Sequence, residues 1–166
     1  MRILICDDDS SITQSLSQII KVYFKKKKVN VLDIVTFNDG DSLLSDKFQK
    51  DIVFLDIEMP GFDGIYVGNE LKKQNESAII FIVTSHLEYL DAAMRFHVFR
   101  YLSKPIDKQR LFQNLDDALE LYYSINQKIA VETKSGVTSV LTCDIVYVEA
   151  KGRKVIVHTA TADLDS

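Results

Sequence analysis

The chain has 166 residues, of which 46% are hydrophobic, and it carries a formal net charge of −4. This composition is too apolar for a disordered chain, and the charge is not that of a general nucleic-acid-binding protein. The two cysteines, Cys6 and Cys143, form no metal or disulfide motif, so a cytoplasmic location is expected. No apolar run approaches the roughly 18 residues that a membrane helix needs, so no membrane partner is expected.

Short apolar runs alternate with amphipathic stretches through most of the chain. The runs Ile3–Cys6, Ile52–Leu55 and Ala78–Val83 are typical of strands that are buried on both faces. In chain order the pattern predicts strand 2–6, helix 10–26, strand 29–36, helix 39–47, strand 52–55, helix 64–74, strand 78–84, helix 87–96, strand 99–102 and helix 107–127. Asp107 is placed to cap the last of these helices. Strict alternation of strands and helices predicts an α/β fold, with a doubly wound parallel sheet.

The pattern changes after residue 127. Strands follow one another without a helix between them: Lys128–Lys134, Val137–Leu141, Ile145–Glu149 and Lys154–Thr159, with turns at Ser135-Gly136 and Lys151-Gly152. We therefore predict one domain over residues 1–127 and a separate all-β segment over residues 128–166. That segment is below the roughly 40 residues at which a domain usually folds unaided, so it looks incomplete.

Polar residues follow the predicted strands of the first domain. The acidic residues Asp7 and Asp8 come after the first strand, Asp56 after the third, Thr84 ends the fourth and Lys104 follows the fifth. Because the carboxyl ends of parallel strands meet at one edge of the sheet, we expect these side chains to converge there. Asp9, by contrast, is expected to begin the first helix.

Crowded carboxylates repel one another unless a cation relieves their field. A hard divalent ion such as Mg²⁺ prefers oxygen ligands. We predict Asp8 and Asp56 as direct ligands and the backbone carbonyl of Glu58 as a third, with Asp7 acting through water.

The same edge has the parts that phosphoryl transfer requires. Aspartate is a covalent nucleophile toward phosphorus, so Asp56 is the predicted acceptor. Lys104 and the Thr84 hydroxyl would meet the negative oxygens of the transferred group. Each of these residues alone has a plainer explanation as a cap, a strand end or a surface lysine. Their convergence on one edge favours the functional interpretation.

Two other features have plainer explanations. Lys25–Lys28 ends the first helix, where cations stabilise the helix C-terminus, and a contact with a partner or with DNA is the alternative. His86 and His97 are not predicted as metal ligands, because no second ligand stands at a suitable spacing.

Five segments resemble the receiver domains of two-component response regulators, and they occur in the order of that family. They are Ile5-Cys6-Asp7-Asp8-Asp9, Leu55-Asp56-Ile57-Glu58-Met59-Pro60, Asp63-Gly64, Val83-Thr84-Ser85 and Tyr101-Leu102-Ser103-Lys104-Pro105. The resemblance implies a flavodoxin-like (βα)5 sheet in the order 2-1-3-4-5. It also implies that Asp56 is the phosphoacceptor, that Thr84 and Tyr101 are switch residues, and that the bond between Lys104 and Pro105 is cis.

The family also implies partners. The phosphoryl donor would be a sensor histidine kinase, and a homodimer would form on phosphorylation. The protein would not be an enzyme, beyond at most a slow autodephosphorylation.

A second resemblance covers the end of the chain. His86-Leu87-Glu88-Tyr89 and Asp144-Ile145-Val146-Tyr147-Val148-Glu149-Ala150, with Lys151-Gly152-Arg153-Lys154, resemble LytTR-type response regulators. In that family the second domain is an all-β DNA-binding module that controls transcription. Only about its first third is present, so DNA is expected as a partner of a complete domain rather than of this chain alone.

Two other functions were considered. A haloacid-dehalogenase-like phosphatase would use a similar Asp, Thr and Lys, but it places the nucleophile after the first strand in a D-x-D motif. Here the lone Asp56 follows the third strand, and position 58 is Glu. The other alternative is a receiver-like interaction module that is not phosphorylated.

Overall fold

The computed structural model describes residues 1–31, 33–133, 136–152, 154–160 and 163–165. The chain forms two compact units, Met1–Ala118 and Leu119–Ser166. Within the described ranges, no helix has the length and hydropathy of a membrane-spanning segment.

A five-stranded parallel sheet forms the centre of the first unit. Its strands are β1 (Arg2–Cys6), β2 (Asp33–Phe37), β3 (Ile52–Leu55), β4 (Ile79–Thr84) and β5 (Arg100–Ser103). The helices are α1 (Ser10–Lys27), α2 (Gly40–Ser45), α3 (Gly64–Gln74), α4 (Leu90–Met94) and α5 (Lys108–Ile125). The strand order is β2-β1-β3-β4-β5 with parallel pairing throughout, which confirms the predicted fold.

Burial along the strands explains this order. Every residue of β1, β3 and β4 is buried, as the unbroken apolar runs predict for strands in the middle of a covered sheet. β2 consists of exposed and half-buried residues only, which suits its place at the sheet edge. Phe54 of β3 lies opposite Phe81 of β4, and their stacked rings have centroids 4.6 Å apart.

Aspartate side chains cap the starts of α1, α2, α3 and α5. Each accepts a hydrogen bond from a backbone N–H in the first turn: Asp9 from Ser11, Asp39 from Ser42, Asp63 from Tyr66 and Asp107 from Arg110. The predicted roles of Asp9 and Asp107 as helix starts are confirmed. Three of these caps follow strands of the sheet closely, so they also set the direction in which the chain leaves its carboxyl edge.

Two predicted elements differ from the structure by more than two residues at one end. The helix predicted at 87–96 is a 3-10 turn at Leu87–Tyr89 followed by α4, which has five residues. No side chain caps α4 at Tyr89, and His97 has a φ of 57°, so the chain turns away after a single helical turn. The strand predicted at 29–36 is observed as β2 from Asp33, because α1 extends to Lys27 and the backbone N–H of Val29 still bonds back to that helix. Leu32, which the prediction includes, lies outside the described residues.

The second unit contains antiparallel strands. They are β6 (Lys128–Thr133), β7 (Gly136–Leu141), β8 (Ile145–Lys151), β9 (Lys154–Thr159) and β10 (Asp163–Asp165), with a 3-10 turn at Thr142–Asp144. β6 and β7 form a hairpin, and β10-β9-β8 form a three-stranded sheet. Among the residues predicted for strands and turns here, Lys134, Ser135 and Arg153 lie outside the described residues.

The core of this unit is small. Among the described residues of its strands, the buried apolar ones are Val131, Val140 and Val157, with Ile145 packed against them. The divide between the two units falls inside α5, whereas the boundary predicted from the sequence lies after residue 127, just past the end of that helix. The assignment of residues 1–127 and 128–166 as domains stays a prediction.

Candidate functional site

The carboxyl ends of four strands bring the predicted residues to one place. Asp7 follows β1, Asp56 follows β3 and Lys104 follows β5, while Thr84 is the last residue of β4. Backbone hydrogen bonds continue the sheet into this edge, from the N–H of Asp56 to the carbonyl of Cys6 and from the N–H of Lys104 to the carbonyl of Thr84. The short strands therefore position the site directly.

Lys104 holds two buried carboxylates. Its Nζ lies 2.7 Å from Oδ2 of Asp7 and 2.7 Å from Oδ2 of Asp56. These two aspartates are only 2% and 5% exposed. Two carboxylates so close together and shielded from water repel each other, and the ammonium of Lys104 offsets that repulsion; its loss would leave uncompensated buried charge.

The pKa values follow from this arrangement. Burial raises the pKa of Asp7, and the hydrogen bond from Lys104 opposes that shift only in part. Burial by itself would lower the pKa of Lys104, but hydrogen bonds to Asp56 and Asp7 outweigh it and raise the value. Lys104 is therefore a permanent cation at neutral pH.

The second oxygen of each carboxylate is also held. Oδ1 of Asp56 accepts from the backbone N–H of Ile57 at 2.7 Å, and Oδ1 of Asp7 accepts from the N–H of Asp9 at 3.0 Å. Two hydrogen-bonded oxygens leave a carboxylate little rotational freedom. Asp56 is thus fixed in one orientation at the floor of the site.

The residues present fit a divalent cation. Asp7, Asp8 and Asp56 each offer a carboxylate oxygen, and these atoms lie within 4.8 Å of one another. An all-oxygen set with one exposed member suits Mg²⁺, which keeps several waters when bound to protein. Asp8 also lines a depression of about 370 Å³ with Glu58, which leaves room for such waters.

The two predicted switch residues contact the same backbone segment. Thr84 is fully buried, and its Oγ1 accepts a hydrogen bond from the N–H of His86 at 3.3 Å. The Tyr101 hydroxyl donates to the carbonyl of His86. The bond between Lys104 and Pro105 is cis.

His86 has a structural role that the sequence reasoning missed. Its ring lies between two glutamates, with Nε2 2.9 Å from Glu58 and Nδ1 2.9 Å from Glu88. The hydrogen bond with Glu88, and then the nearby charge of Glu58, raise the pKa of His86. The position of His86 two residues after Thr84, with glutamate two residues further on, was the signal available in the sequence.

Known proteins are similar to this chain in sequence. A family model described as the response regulator receiver domain matches residues 3–116. An uncharacterized response regulatory protein of Staphylococcus epidermidis is 33% identical over 138 residues, which are 80% of this chain and 53% of that protein. The chain thus spans about half the length of that relative. Sensory transduction protein LytT of Bacillus subtilis is 25% identical, and transcriptional regulatory protein YpdB of Escherichia coli is 27% identical, each over 96% of this chain and 69% of the relative.

Solved structures show the same architecture. The response regulatory domain of mrkE from Klebsiella pneumoniae matches 74% of this chain and 98% of its own, with a TM-score of 0.66 and 23% identity. Response regulator TrrA from Thermotoga maritima, solved with Mg²⁺ and a beryllium fluoride, matches 70% of this chain and 97% of its own, with a TM-score of 0.61 and 26% identity.

Proposed function

This chain belongs to the family of response regulator receiver domains of two-component systems, and we propose from that premise that Asp56 accepts a phosphoryl group from a sensor histidine kinase. The observation that carries the proposal is the buried Asp56 carboxylate, held by Lys104 and by the N–H of Ile57 beside two further aspartates. No ordinary helix cap needs that arrangement.

The reaction needs positioning and neutralisation of charge more than further covalent chemistry. An Asp56 oxygen forms the new bond to phosphorus as the bond from phosphorus to the kinase histidine nitrogen breaks, and that nitrogen keeps the electron pair. Lys104 stays beside the acceptor and meets the negative oxygens of the transferred group, and the Thr84 hydroxyl donates to another.

The metal site would draw on neighbouring oxygens. Asp8 and Asp56 would hold Mg²⁺ directly with the Glu58 carbonyl, and Asp7 would act through water. When bound, the ion supplies positive charge against the phosphoryl oxygens. The Mg²⁺ and beryllium fluoride bound to the Thermotoga protein support this choice of ion.

Phosphorylation would switch the protein through Thr84 and Tyr101. Movement of the Thr84 hydroxyl toward the phosphoryl group would free the N–H of His86, and Tyr101 would lose its present acceptor as that loop shifts. The surface around α4 and β5 would change and favour a homodimer. Hydrolysis of the aspartyl phosphate would be slow, so the phosphorylated form would persist and act as a signal rather than as an intermediate in enzymatic turnover.

We also propose a transcriptional output. LytT and YpdB match this chain over almost all of its length, including the strands after residue 127. Those strands would be the beginning of a LytTR-type module that binds DNA when complete. The phosphatase alternative is not retained, because the match to the receiver family covers the whole site.

The acceptor can be tested by intact mass. The protein is treated with acetyl phosphate and Mg²⁺, and the wild type should gain the mass of one phosphoryl group. Asp56→Asn should gain none, whereas Asp63→Asn, which keeps a good cap at the start of α3, should be modified normally. Equal modification of the wild type and Asp56→Asn would show that the acceptor is another residue.

A further inference from the structure

A group of lysines at the end of α1 takes no part in the proposed phosphoryl site. We call it the α1 lysine cluster; its members are Lys21, Lys25, Lys26, Lys27 and Lys28, and all five are exposed. They are a quarter of the chain's 20 Lys and Arg residues, gathered in eight positions of a protein with a net charge of −4. Such local concentration of one charge needs a physical explanation.

Most of this charge is not neutralised within the protein. Lys27 pairs with Asp116, with 2.5 Å between Nζ and Oδ1. In the part of the chain that the structure describes, Lys21, Lys25, Lys26 and Lys28 have no carboxylate oxygen within 4 Å. The neighbouring lysines therefore repel one another, and i,i+4 pairs such as Lys21 and Lys25 weaken the helix slightly.

Stabilisation of the helix end explains only part of the cluster. The helix dipole acts on charges within the last turn, and one or two cations satisfy it. Lys21 lies outside that turn. Lys25, Lys26 and Lys27 also point in different directions around the helix end, because successive helical residues are rotated by about 100°, and Lys28 follows them as the left-handed C-cap.

The cluster is well separated from Asp56. α1 begins just after the carboxyl end of β1 and runs for 18 residues, or about 27 Å, toward the opposite edge of the sheet. A ligand bound at the cluster therefore does not compete with phosphorylation.

The positive charge of the α1 lysine cluster suits a polyanionic ligand, whereas the surface around it lacks the free apolar face that membrane binding needs. Helices that bind bilayers insert a free apolar face. The apolar face of α1 is buried in the core through Leu16, Ile20, Tyr23 and Phe24. Among the residues of the cluster region, Val22 is 52% exposed, and one valine is too little apolar surface to insert into a bilayer. The other exposed side chains there are ammonium groups on flexible stems, which bind phosphates as point charges without reading base sequence.

We propose that the α1 lysine cluster binds the phosphate backbone of double-stranded DNA without sequence preference. The choice of DNA rests on the proposed transcriptional output. The cluster would add electrostatic affinity that the strand-rich segment lacks, since residues 128–166 carry as many acidic as basic residues. It would do so whether or not Asp56 is phosphorylated.

The test is the salt dependence of binding to a fluorescent random-sequence duplex, measured by anisotropy with the 166-residue protein. Each lysine that neutralises a phosphate contributes about 0.9 to the slope of log K against log salt. Lys25→Gln/Lys26→Gln should therefore reduce the slope by about 1.8. The matched control is Lys72→Gln/Lys73→Gln, an adjacent pair in the last turn of α3, which should leave the slope unchanged.

Three outcomes would overturn the proposal. They are absence of binding by the wild type at low salt, equal loss of slope in the two double variants, or binding of the wild type to phosphatidylserine vesicles but not to the duplex. Intact-mass measurement of Lys25→Gln/Lys26→Gln with acetyl phosphate and Mg²⁺ separates this proposal from the acceptor assignment. Lost DNA binding with normal phosphorylation supports the proposal, and lost phosphorylation in that variant overturns it as a folding effect.

Discussion

Single side chains set the chemistry of the site, and Lys104 is the one that balances the charge of its buried carboxylates. It lies between two buried carboxylates that would otherwise repel each other across the carboxyl edge of the sheet. Its removal leaves both carboxylates without a cation, and this lowers the stability of the folded protein far more than the loss of a surface ion pair does.

Lys104→Gln should therefore lower the free energy of unfolding without Mg²⁺ by about 3 kcal/mol. Mg²⁺ should recover part of that loss, because an ion that binds only the folded state stabilises it by mass action. Urea unfolding with EDTA and with Mg²⁺ measures both effects. Equal stabilities of wild type and variant in EDTA would contradict the ion-pair argument.

The two cysteines should differ in reactivity. Cys6 is 1% exposed, and burial together with the nearby carboxylates Asp39 and Asp7 raises the pKa of its thiol to about 12. Cys143 is exposed. Since the thiolate is the reactive form, iodoacetamide should modify only Cys143 in the folded protein and both residues in urea. Peptide mass mapping identifies the modified cysteines. The control is the Cys143→Ala variant in its folded state, which should remain unmodified.

A bidentate pair on the opposite edge gives a pH dependence. Arg2 donates to both oxygens of Asp46 at 2.7 and 2.9 Å. The hydrogen bond from Arg2 lowers the pKa of Asp46, although some burial opposes it. A lowered pKa contributes stability above the unfolded value of about 4, and that stability is lost as pH falls through the folded value.

Asp46→Asn should therefore lower the free energy of unfolding by about 2 kcal/mol at neutral pH. The difference from the wild type should shrink as the pH falls below about 4. Urea midpoints over a pH series measure it. A difference that stays constant with pH would show that the charge of Asp46 contributes nothing.

Individual elements depend on close contacts at the site. Gly64 begins α3, and its N–H bonds to the carbonyl of Ile57. A Cβ there would lie 2.0 Å from the carbonyl oxygen of Asp56 and 2.7 Å from Cα of Ile57. Because both obstacles are backbone atoms, the turn after β3 would have to move and would carry Asp56 with it.

Gly64→Ala should lower the free energy of unfolding by about 3 kcal/mol and slow phosphorylation by acetyl phosphate. The control is Gly61→Ala in the same turn, where the added Cβ meets open space and only the φ of 86° costs about 1 kcal/mol. Unfolding curves and intact-mass time courses separate the two variants. Equal effects would mean that strain, not the close approach to Asp56, governs this turn.

At this same scale the sequence predicted most of the first unit. β1, β3 and α3 have the predicted bounds, because an apolar run or an aspartate cap with a clear helical period marks these elements. The prediction of a single helix over 87–96 was wrong, because apolar residues at helical spacing do not reveal that the helix lacks a capping side chain. Convergence at the site was predictable, since strand order alone brings the strand ends together.

The contact of His86 with Glu58 was not predictable from the sequence, in contrast to its contact with Glu88 two residues away. It depends on how the segment after β4 folds over toward Glu58, which lies in the turn after β3. Periodicity describes residues within one element, and it contains no information on loops that meet across a sheet edge.

For the molecule as a whole, the two units differ greatly in their cores. The first buries three complete strands and the inner faces of its longer helices, whereas the second has three buried valines among its described residues. A peptide of residues 128–166 should therefore be unfolded by circular dichroism and by amide dispersion in NMR. Residues 1–127 should keep a cooperative thermal transition. A folded peptide would show that the small valine cluster suffices.

The strand order has a consequence for synthesis. β1 is an inner strand that pairs with both β2 and β3, while β4 adds to β3 and β5 adds to β4. Each strand that leaves the ribosome therefore meets a partner that has already been made, so the sheet can grow outward during translation. Asp56 is synthesised before Lys104, so the Asp56 carboxylate is paired with the Lys104 ammonium only after β5 has joined the sheet.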